Sequence, residues 1–324
     1  MGEPLTILIT GGAGYIGAAS ADALLEAGHR VVILDDLSTG HLDLVPNAAS
    51  SITGSYADAE KVGDLVRSAR VDAVLHCAAR SIVSDSMERP ERYYRDNLVG
   101  SLNLLDAIRA AGVRRFVFSS SAAVYGAAPA ASIREDSPLS PINPYGATKA
   151  AFEHALRSYA LAHGIQGIAL RYFNVAGSTE RVRERHDPET HLLPRIVAAA
   201  LAGAPFHLYG ADYPTPDGTA LRDYVHVADV AAAHVAAFAS LQGRGEEAHF
   251  AALNIGSGIG TSVREAIAAI ERATKRQLDV RVGPRRPGDP PRLIADIGLA
   301  ASSIGWRPRQ SGIDRIVRSL VPPA

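Results

Sequence analysis

The sequence predicts an α/β protein, a doubly wound parallel sheet joined to a smaller lobe of mixed α/β structure. Three observations carry that expectation. The apolar runs of the first half are short and continuous rather than alternating, as strands buried on both faces should be. Helix-length segments separate them, because right-handed crossovers between parallel strands need helices on the sheet faces. With 47% apolar residues in 324, the chain can fill one large core or two ordinary ones.

The first strand is Leu5–Thr10, and a glycine-rich turn leads from it into the helix Tyr15–Ala27. Gly28 follows as a C-cap, where a left-handed residue ends a helix at least cost. Val31–Leu34 is the second strand, and a third ends before Gly54. Helix Ala59–Ala69, strand Ala73–His76 and helix Glu91–Ala111, capped by Gly112, come next. Strand Arg115–Ser119, helix Pro144–His163 and strand Gly167–Arg171 complete the alternation. Beyond Arg171, turn-rich stretches fall at Arg181–Thr190, Tyr209–Gly218 and Gly283–Pro291. Between and after them lie helices Leu192–Ala202, Val227–Leu241, Ser262–Thr274 and Ile313–Ser319. Residues 1–171 are thus expected to form the sheet domain, and 172–324 mainly the smaller lobe, with segments near 222–254 returning to the first. A cleft between the two, at the strand C-termini, is the expected site.

Composition excludes several functions. Lys and Arg number 33 against 34 Asp and Glu, a net charge of −1, which leaves no bulk positive field for a nucleic acid or an anionic membrane. The arginines within 181–185 read as a solvated loop. One cysteine, Cys77, permits no intramolecular disulfide and no multi-cysteine zinc site, and it reads as a small core residue. The 11 histidines show no metal-binding spacing, so no metal is expected. No stretch reaches the roughly 18 apolar residues of a membrane span, and the first apolar run has neither a basic leader nor a cleavage site. A cytoplasmic protein with no nucleic-acid or membrane partner is the expectation.

Gly11-Gly12-Ala13-Gly14-Tyr15-Ile16-Gly17 lies between the first strand and the first helix. There Gly11, Gly14 and Gly17 allow a tight turn and let backbone N–H groups approach a pyrophosphate at the helix N-terminus. A lone glycine fingerprint is weak, and a plain strand–helix turn is its bland reading. The next strand, however, ends in Asp35-Asp36, eighteen residues after Gly17. A carboxylate there binds ribose hydroxyls and repels a 2′-phosphate, so a Rossmann-type domain holding NAD rather than NADP is expected.

Tyr145 and Lys149 are four residues apart in the helix Pro144–His163, on one face. A free tyrosine, with a pKa of about 10, is a poor base at neutral pH. A nearby ammonium and a positive nicotinamide would favour its phenolate. The bland reading is a surface Tyr and Lys. Lysine occurs only at Lys61, Lys149 and Lys275, so 30 of the 33 cations are arginine, and chance would place Arg here. A compact ammonium hydrogen-bonds ribose hydroxyls in a way a guanidinium replaces badly. Ser119, Ser120 and Ser121 end the strand before this helix, where a hydroxyl faces the cleft. Ser121 is the candidate to share a proton with Tyr145.

A glycine turn, an acid-ended second strand, a Ser and a Tyr-x-x-x-Lys in this order resemble the extended short-chain dehydrogenase/reductase family. Further segments narrow the likeness to its UDP-glucose 4-epimerase branch. They are Tyr93–Asn97, Arg171–Asn174, His186–Pro194, Tyr209–Thr219, Arg222–Val227, Asn254–Gly258 and Pro284–Asp289. The resemblance implies Tyr145 as the base, Lys149 as its modulator and Ser121 as the proton-sharing hydroxyl. It implies Tyr15 and Ile16 at the pyrophosphate, and Asp35, Asp36, Leu37 and Ser38 at the adenosine ribose. Ser55 stands where an Asp is usual near the adenine, with Tyr56 beside it. Ala78, Ala79, Arg80 and Ser119 line the dinucleotide, and Asn97 and Phe173 complete the nicotinamide pocket. For a sugar nucleotide the implied residues are Asn174, His191, Leu192, His207 and Tyr209, then Arg222, Arg286 and Asp289. Two arginines suit a diphosphate and a carboxylate suits ribose hydroxyls. Leu293 stands at a position that gates N-acetyl groups.

The implied reaction is C4 inversion of a UDP-sugar, UDP-glucose and UDP-galactose foremost, through a 4-keto sugar that turns over in the pocket. Ala122 and Ala123 stand where related dehydratases carry Asp-Glu and related decarboxylases a Glu, so the groups for those follow-on steps are missing. UDP-xylose/UDP-arabinose and UDP-N-acetylhexosamine epimerisation remain open, as does a non-catalytic NAD(H)-binding regulator. The resemblance also implies a homodimer through Glu91–Ala111 and Pro144–His163.

Overall fold

A computed structural model describes residues 3–128, 131–186, 189–245, 247–286 and 289–322. Asp187, Pro188, Pro287 and Gly288, which belong to two of the motifs above, lie outside the described residues.

Strands β1 (Thr6–Thr10), β2 (Arg30–Asp35), β3 (Ser50–Thr53), β4 (Ala73–His76), β5 (Arg115–Ser121) and β6 (Gln166–Tyr172) are joined by β10 (His249–Ile255) in a seven-stranded sheet. Its order is β10-β6-β5-β4-β1-β2-β3, and every neighbouring pair is parallel. Side chains along β1 alternate between two cores, as the period of a strand requires. Ile7 and Ile9 pack on one face with Leu24 of α1 (Tyr15–Glu26) and Phe238 of α8 (Val227–Gln242). Leu8 packs on the other with Val62 of α2 (Ala59–Ala69), Leu105 of α5 (Ser101–Ala110) and Phe152 of α6 (Pro144–His163). Each such side chain, fully withdrawn from water, contributes about 1.5–3 kcal/mol before chain entropy is counted. Helices on both faces of a parallel sheet are the doubly wound architecture expected from the sequence.

The smaller sheets lie beyond the C-terminal edge. Strand β9 (Leu221–His226) pairs with β7 (Asn174–Ala176), β11 (Gly260–Ser262) and β13 (Arg292–Leu293). Strands β8 (Phe206–Tyr209) and β12 (Val280–Gly283) pair in parallel. A separate core forms from Leu193 and Ile196 of α7 (Leu192–Ala202), Ile267 and Ile270 of α9 (Val263–Thr274), and Ile316 of α11 (Ile313–Leu320). Short helices α3 (Val83–Glu88), α4 (Pro90–Tyr93) and α10 (Gly298–Ile304) and 3-10 turns at Leu42–Leu44 and Ala122–Tyr125 lie between these elements.

Ala59–Ala69, Ala73–His76, Pro144–His163 and Leu192–Ala202 coincide with the expected elements residue for residue. The expected helix Glu91–Ala111 does not form as one piece. It is α4, a π-helical stretch Tyr94–Gly100, and then α5. Asn97 at the centre of that stretch explains the break. Its side chain accepts from Arg80 N at 2.8 Å and donates to Arg80 O at 2.9 Å. Ser101 Oγ takes the Asn97 carbonyl at 2.6 Å, the acceptor an α-helix would give to a backbone N–H. A wider turn at a site facing a cleft is the usual setting of π-helical insertions.

Candidate active site

The glycine turn joins β1 to α1 at the mouth of a cleft of about 1670 Å³. Gly11 has φ +73°, and a Cβ there would stand 2.6 Å from Ala78 N, so the crossing of two strand ends leaves room only for hydrogen. Gly14 is the N-cap of α1 and supplies no side-chain cap, which leaves the first-turn N–H groups to an anion. Asp35, at the end of β2, accepts from Ala13 N and from Leu37 N, both at 2.9 Å. It therefore braces the turn that would cradle a pyrophosphate as well as standing beside it. Asp36 is exposed and accepts from Ser38 N at 2.9 Å and Ser38 Oγ at 2.6 Å. Free N–H groups, two carboxylates and a tight backbone fit the pyrophosphate and ribose of a dinucleotide.

Strand β5 continues two residues past its expected end, pairing Ser120 with Arg171 and Ser121 with Tyr172. That extension carries Ser121 to the rim, where its Oγ accepts from Ala123 N at 3.1 Å. Asn143 caps α6 by accepting from Gly146 N at 2.8 Å. Gly146 lets the helix approach closely, because a Cβ there would run into the Ala123 carbonyl. Tyr145 is thereby set against Ser121. Burial pushes the Tyr145 hydroxyl above its ordinary value, and a hydrogen bond with Ser121 opposes that rise.

Lys149 is 3% exposed and donates to Ser119 O at 2.7 Å. Its Nζ stands 5.8 Å from the centre of the Tyr145 ring. Burial lowers its pKa to about 8, while Cys77 and Glu153 pull the other way. Glu153, one turn further along α6, accepts from Ser120 Oγ at 2.5 Å and pairs with Arg171 at 2.6 Å, both side chains nearly fully buried. Arg171 Nη1 also donates to Tyr125 OH at 2.7 Å, and Tyr125 to Asn254 Oδ1 at 2.6 Å. Breaking such a buried pair costs about 3–5 kcal/mol, so this network fixes the strand ends that carry the hydroxyls.

The cleft gathers Gly11, Gly14, Tyr15, Ile16 and Gly17 with Asp35, Asp36, Leu37 and Ser38. Ser55, Tyr56, Ala78, Ala79, Arg80 and Ser119 lie on the same wall. Ser121, Tyr145, Lys149 and Phe173 form its floor, and Asn174, His191, Arg222, Asp289 and Leu293 its further side. Five expected residues are not on that wall. Asn97 is buried and holds the backbone of Arg80 instead. Leu192 packs against the core of the smaller lobe. His207 and Tyr209 occupy the exposed face of β8, whose alternation buries Phe206 and Leu208. Arg286 stacks its guanidinium 4.3 Å from the Tyr209 ring.

Other residues were not singled out from the sequence. Asp223 is fully buried and accepts from Ser257 N at 2.6 Å, Gly258 N at 2.9 Å and Ala295 N at 3.1 Å, which ties the loop after β10 and the segment after β13 to β9 beside Arg222. Its place in the segment Arg222–Val227 was its signal. Glu184 and His186 also face the cleft. The hydroxyl of Tyr15 donates to Gly177 O at 2.5 Å, tying the first turn of α1 to the backbone after β7.

The model of the NAD dependent epimerase/dehydratase family matches residues 7–256. The chain belongs to that family. It is 43% identical over 314 residues to UDP-glucose 4-epimerase of Corynebacterium glutamicum, covering 97% of this chain and 94% of that protein. The crystal structure of UDP-glucose 4-epimerase from Brucella ovis in complex with NAD superposes with a TM-score of 0.93, at 42% identity and 97% coverage of both chains. The enzyme of Stenotrophomonas maltophila, with bound NAD and formylated UDP-arabinopyranose, superposes equally well at 36% identity, covering 98% of this chain and 96% of that one. The turn of β1–α1 and the β2 carboxylates line one end of the cleft. Arg222, held by Pro290 O at 2.9 Å and 3.6 Å from Asp289, stands at the other end.

Proposed function

We propose that the protein inverts C4 of a UDP-sugar, interconverting UDP-glucose and UDP-galactose with NAD as a retained cofactor. The observation that carries this reading is Tyr145 set between Ser121 and the buried Lys149 on the floor of a cleft whose mouth is a dinucleotide turn. Bound NAD+ supplies the acceptor, and then the donor, of the hydrogen at sugar C4. Tyr145 takes the proton of the C4 hydroxyl, and Ser121 holds that oxygen and shares the proton. Lys149 favours the phenolate through its charge and anchors the nicotinamide ribose. The resulting 4-keto sugar presents its other face, and Tyr145 returns the proton to O4 as C4 is reduced. Arg222 and Asp289 bind the diphosphate and ribose of the nucleotide.

Ala122 and Ala123 line the same floor and carry no acid or base, which leaves C4 inversion without elimination. We assign residues 1–171, with segments near 222–254 returning to them, to NAD and most of 172–324 to the sugar nucleotide. Helix α6 and the π-helical stretch expose Leu161, Tyr94 and Val99, at 77%, 43% and 51%, and these are the proposed homodimer surface. Among the described residues no helix is long and apolar enough to cross a membrane. We place the enzyme in the cytoplasm, in galactose metabolism.

Separate incubations with UDP-galactose, UDP-N-acetylgalactosamine and UDP-xylose, without added cofactor, test the proposal. A C4 epimer of UDP-galactose without net NADH is expected. No epimer from any of the three, with NAD+ added and shown to bind, overturns it in favour of a non-catalytic NAD-binding role.

A further inference from the structure

One wall of the cleft holds a cluster that the reaction above does not use. We propose that Glu184, His186, Glu189 and His191 form a four-ligand site for a divalent transition metal ion, with Zn2+ the best fit. The four come as two Glu-x-His units of one segment. One ligand atom from each lies within 4.8 Å of all the others. Glu184 Oε1 is 3.1 Å from His186 Nδ1 and 3.0 Å from His191 Nδ1, and Glu189 Oε1 is 3.0 Å from His191 Nδ1. Around tetrahedral Zn2+, with bonds of about 2.0–2.2 Å, neighbouring ligand atoms stand roughly 3.3–3.6 Å apart. To admit the ion the three close pairs open by about 0.3–0.5 Å, while the widest pair, within 4.8 Å, closes by up to roughly 1.2 Å.

A second observation points the same way. The Glu184 side chain is 3% exposed, and its Oε2 is buried with no hydrogen-bond partner. His186 Nδ1 is likewise buried, and its polar neighbour is Glu184 Oε1 at 3.1 Å. A buried carboxylate oxygen left without a partner is costly, and a bound metal ion would supply one. Two imidazoles and two carboxylates neutralise a +2 charge and suit Zn2+, whereas Ca2+ and Mg2+ prefer all-oxygen shells.

Four protein ligands close a tetrahedral shell, so the ion is structural. It staples the start of α7 to Glu184, beside the cleft wall that Tyr15 also lines. His191, which the family resemblance assigns to the sugar nucleotide, is turned here to two carboxylates. The competing arrangement is a metal-free ion cluster. There His191 Nδ1 stays paired with Glu184 and Glu189 and no ion enters.

The test uses the full chain with whatever NAD it retains, freed of metal by a chelator and titrated with ZnCl2 by calorimetry. One Zn2+ per chain is expected, with a Tm that rises with Zn2+ concentration. The Co2+-loaded protein should show the intense visible bands of a tetrahedral centre. Glu184→Gln combined with His186→Ala should lose both saturable binding and the bands, with circular dichroism reporting the fold. Should that variant not fold, His186→Ala alone, at a partly exposed position, should weaken binding at least about ten-fold. Absence of saturable uptake, uptake unchanged in a folded variant, or a His191 ring that stays doubly protonated by nitrogen NMR at saturating Zn2+ would each overturn the site.

Discussion

Tyr145 and Lys149 carry opposite burdens from the same burial. The phenol is pushed up and the ammonium down to about 8, so each by itself is poorly set for its task. In the proposed reaction a bound, positive nicotinamide ring would supply the missing field, making the Tyr145 phenolate contingent on NAD+. Tyr145→Phe should lower kcat by about 10²–10⁴-fold, the usual worth of a positioned proton acceptor, with NAD content unchanged. Steady-state rates and the absorbance of the denatured protein's released nucleotide check this together.

Lys149 also has a stability consequence whose sign is fixed. Its folded pKa lies below the ordinary 10.5, so the fold bears a cost that is full below about pH 8 and relieved as pH rises to 10.5. In the nucleotide-stripped protein, Lys149→Met should therefore be more stable than the parent at pH 7, by up to ~3 kcal/mol. The gap should close as pH approaches 10.5. Urea denaturation of the pair across that range measures it. At this scale the sequence was informative, because the scarcity of lysine made Lys149 stand out. Glu153 and Asp223 were not legible as bracing groups, since their partners Arg171, Ser257 and Ala295 come together only through the fold.

At the scale of elements, what was legible followed from local signals. Gly28 and Gly112 announced the ends of α1 and α5, and both adopt a positive φ, +87° and +81°. The π-helical stretch was hidden because its cause, the two hydrogen bonds between Asn97 and the backbone of Arg80, joins segments 17 residues apart. The same reason put Asn97 beneath the cleft rather than on its wall. His207 and Tyr209 lie on the exposed face of β8, a strand too short to be marked by its own sequence.

The segment after β7 was read as a solvated loop, and it is a strap. Arg181 pairs with Asp22 of α1 at 2.7 Å and donates to Leu44 O at 2.6 Å, while Arg185 pairs with Asp43 at 2.6 Å. The strap joins α1 to the turn after β2, on either side of the dinucleotide end of the cleft. Arg181→Ala should speed NAD release about five-fold, since each partly exposed ion pair is worth up to ~1 kcal/mol. Stopped-flow fluorescence of NADH displacement reads that rate.

For the whole molecule, seven parallel strands with helices on both faces place the C-termini of β1, β2, β4, β5 and β6 along one cleft. The sheet order reverses between β1 and β4, and the glycine turn opens at that reversal, as in other open α/β sheets. The architecture was legible because continuous apolar runs and glycine punctuation are local properties. The short strands β7, β9, β11 and β13 were not, being two to six residues long and paired across the chain. The proposed dimer surface belongs to this scale. Leu161→Asp with Val99→Asp should shift the mass found by light scattering from dimer to monomer while leaving circular dichroism intact, because two buried carboxylates would face an apolar partner.

The central claim is that hydrogen leaves C4 and returns to it within one closed site, with Tyr145 handling only the hydroxyl proton. Proton NMR of UDP-galactose incubated with the protein in D2O, without added cofactor, tests it most directly. The account predicts UDP-glucose whose C4 keeps its original hydrogen, at an unchanged total of nicotinamide. Deuterium at C4, or no UDP-glucose from protein that carries NAD+, would contradict it.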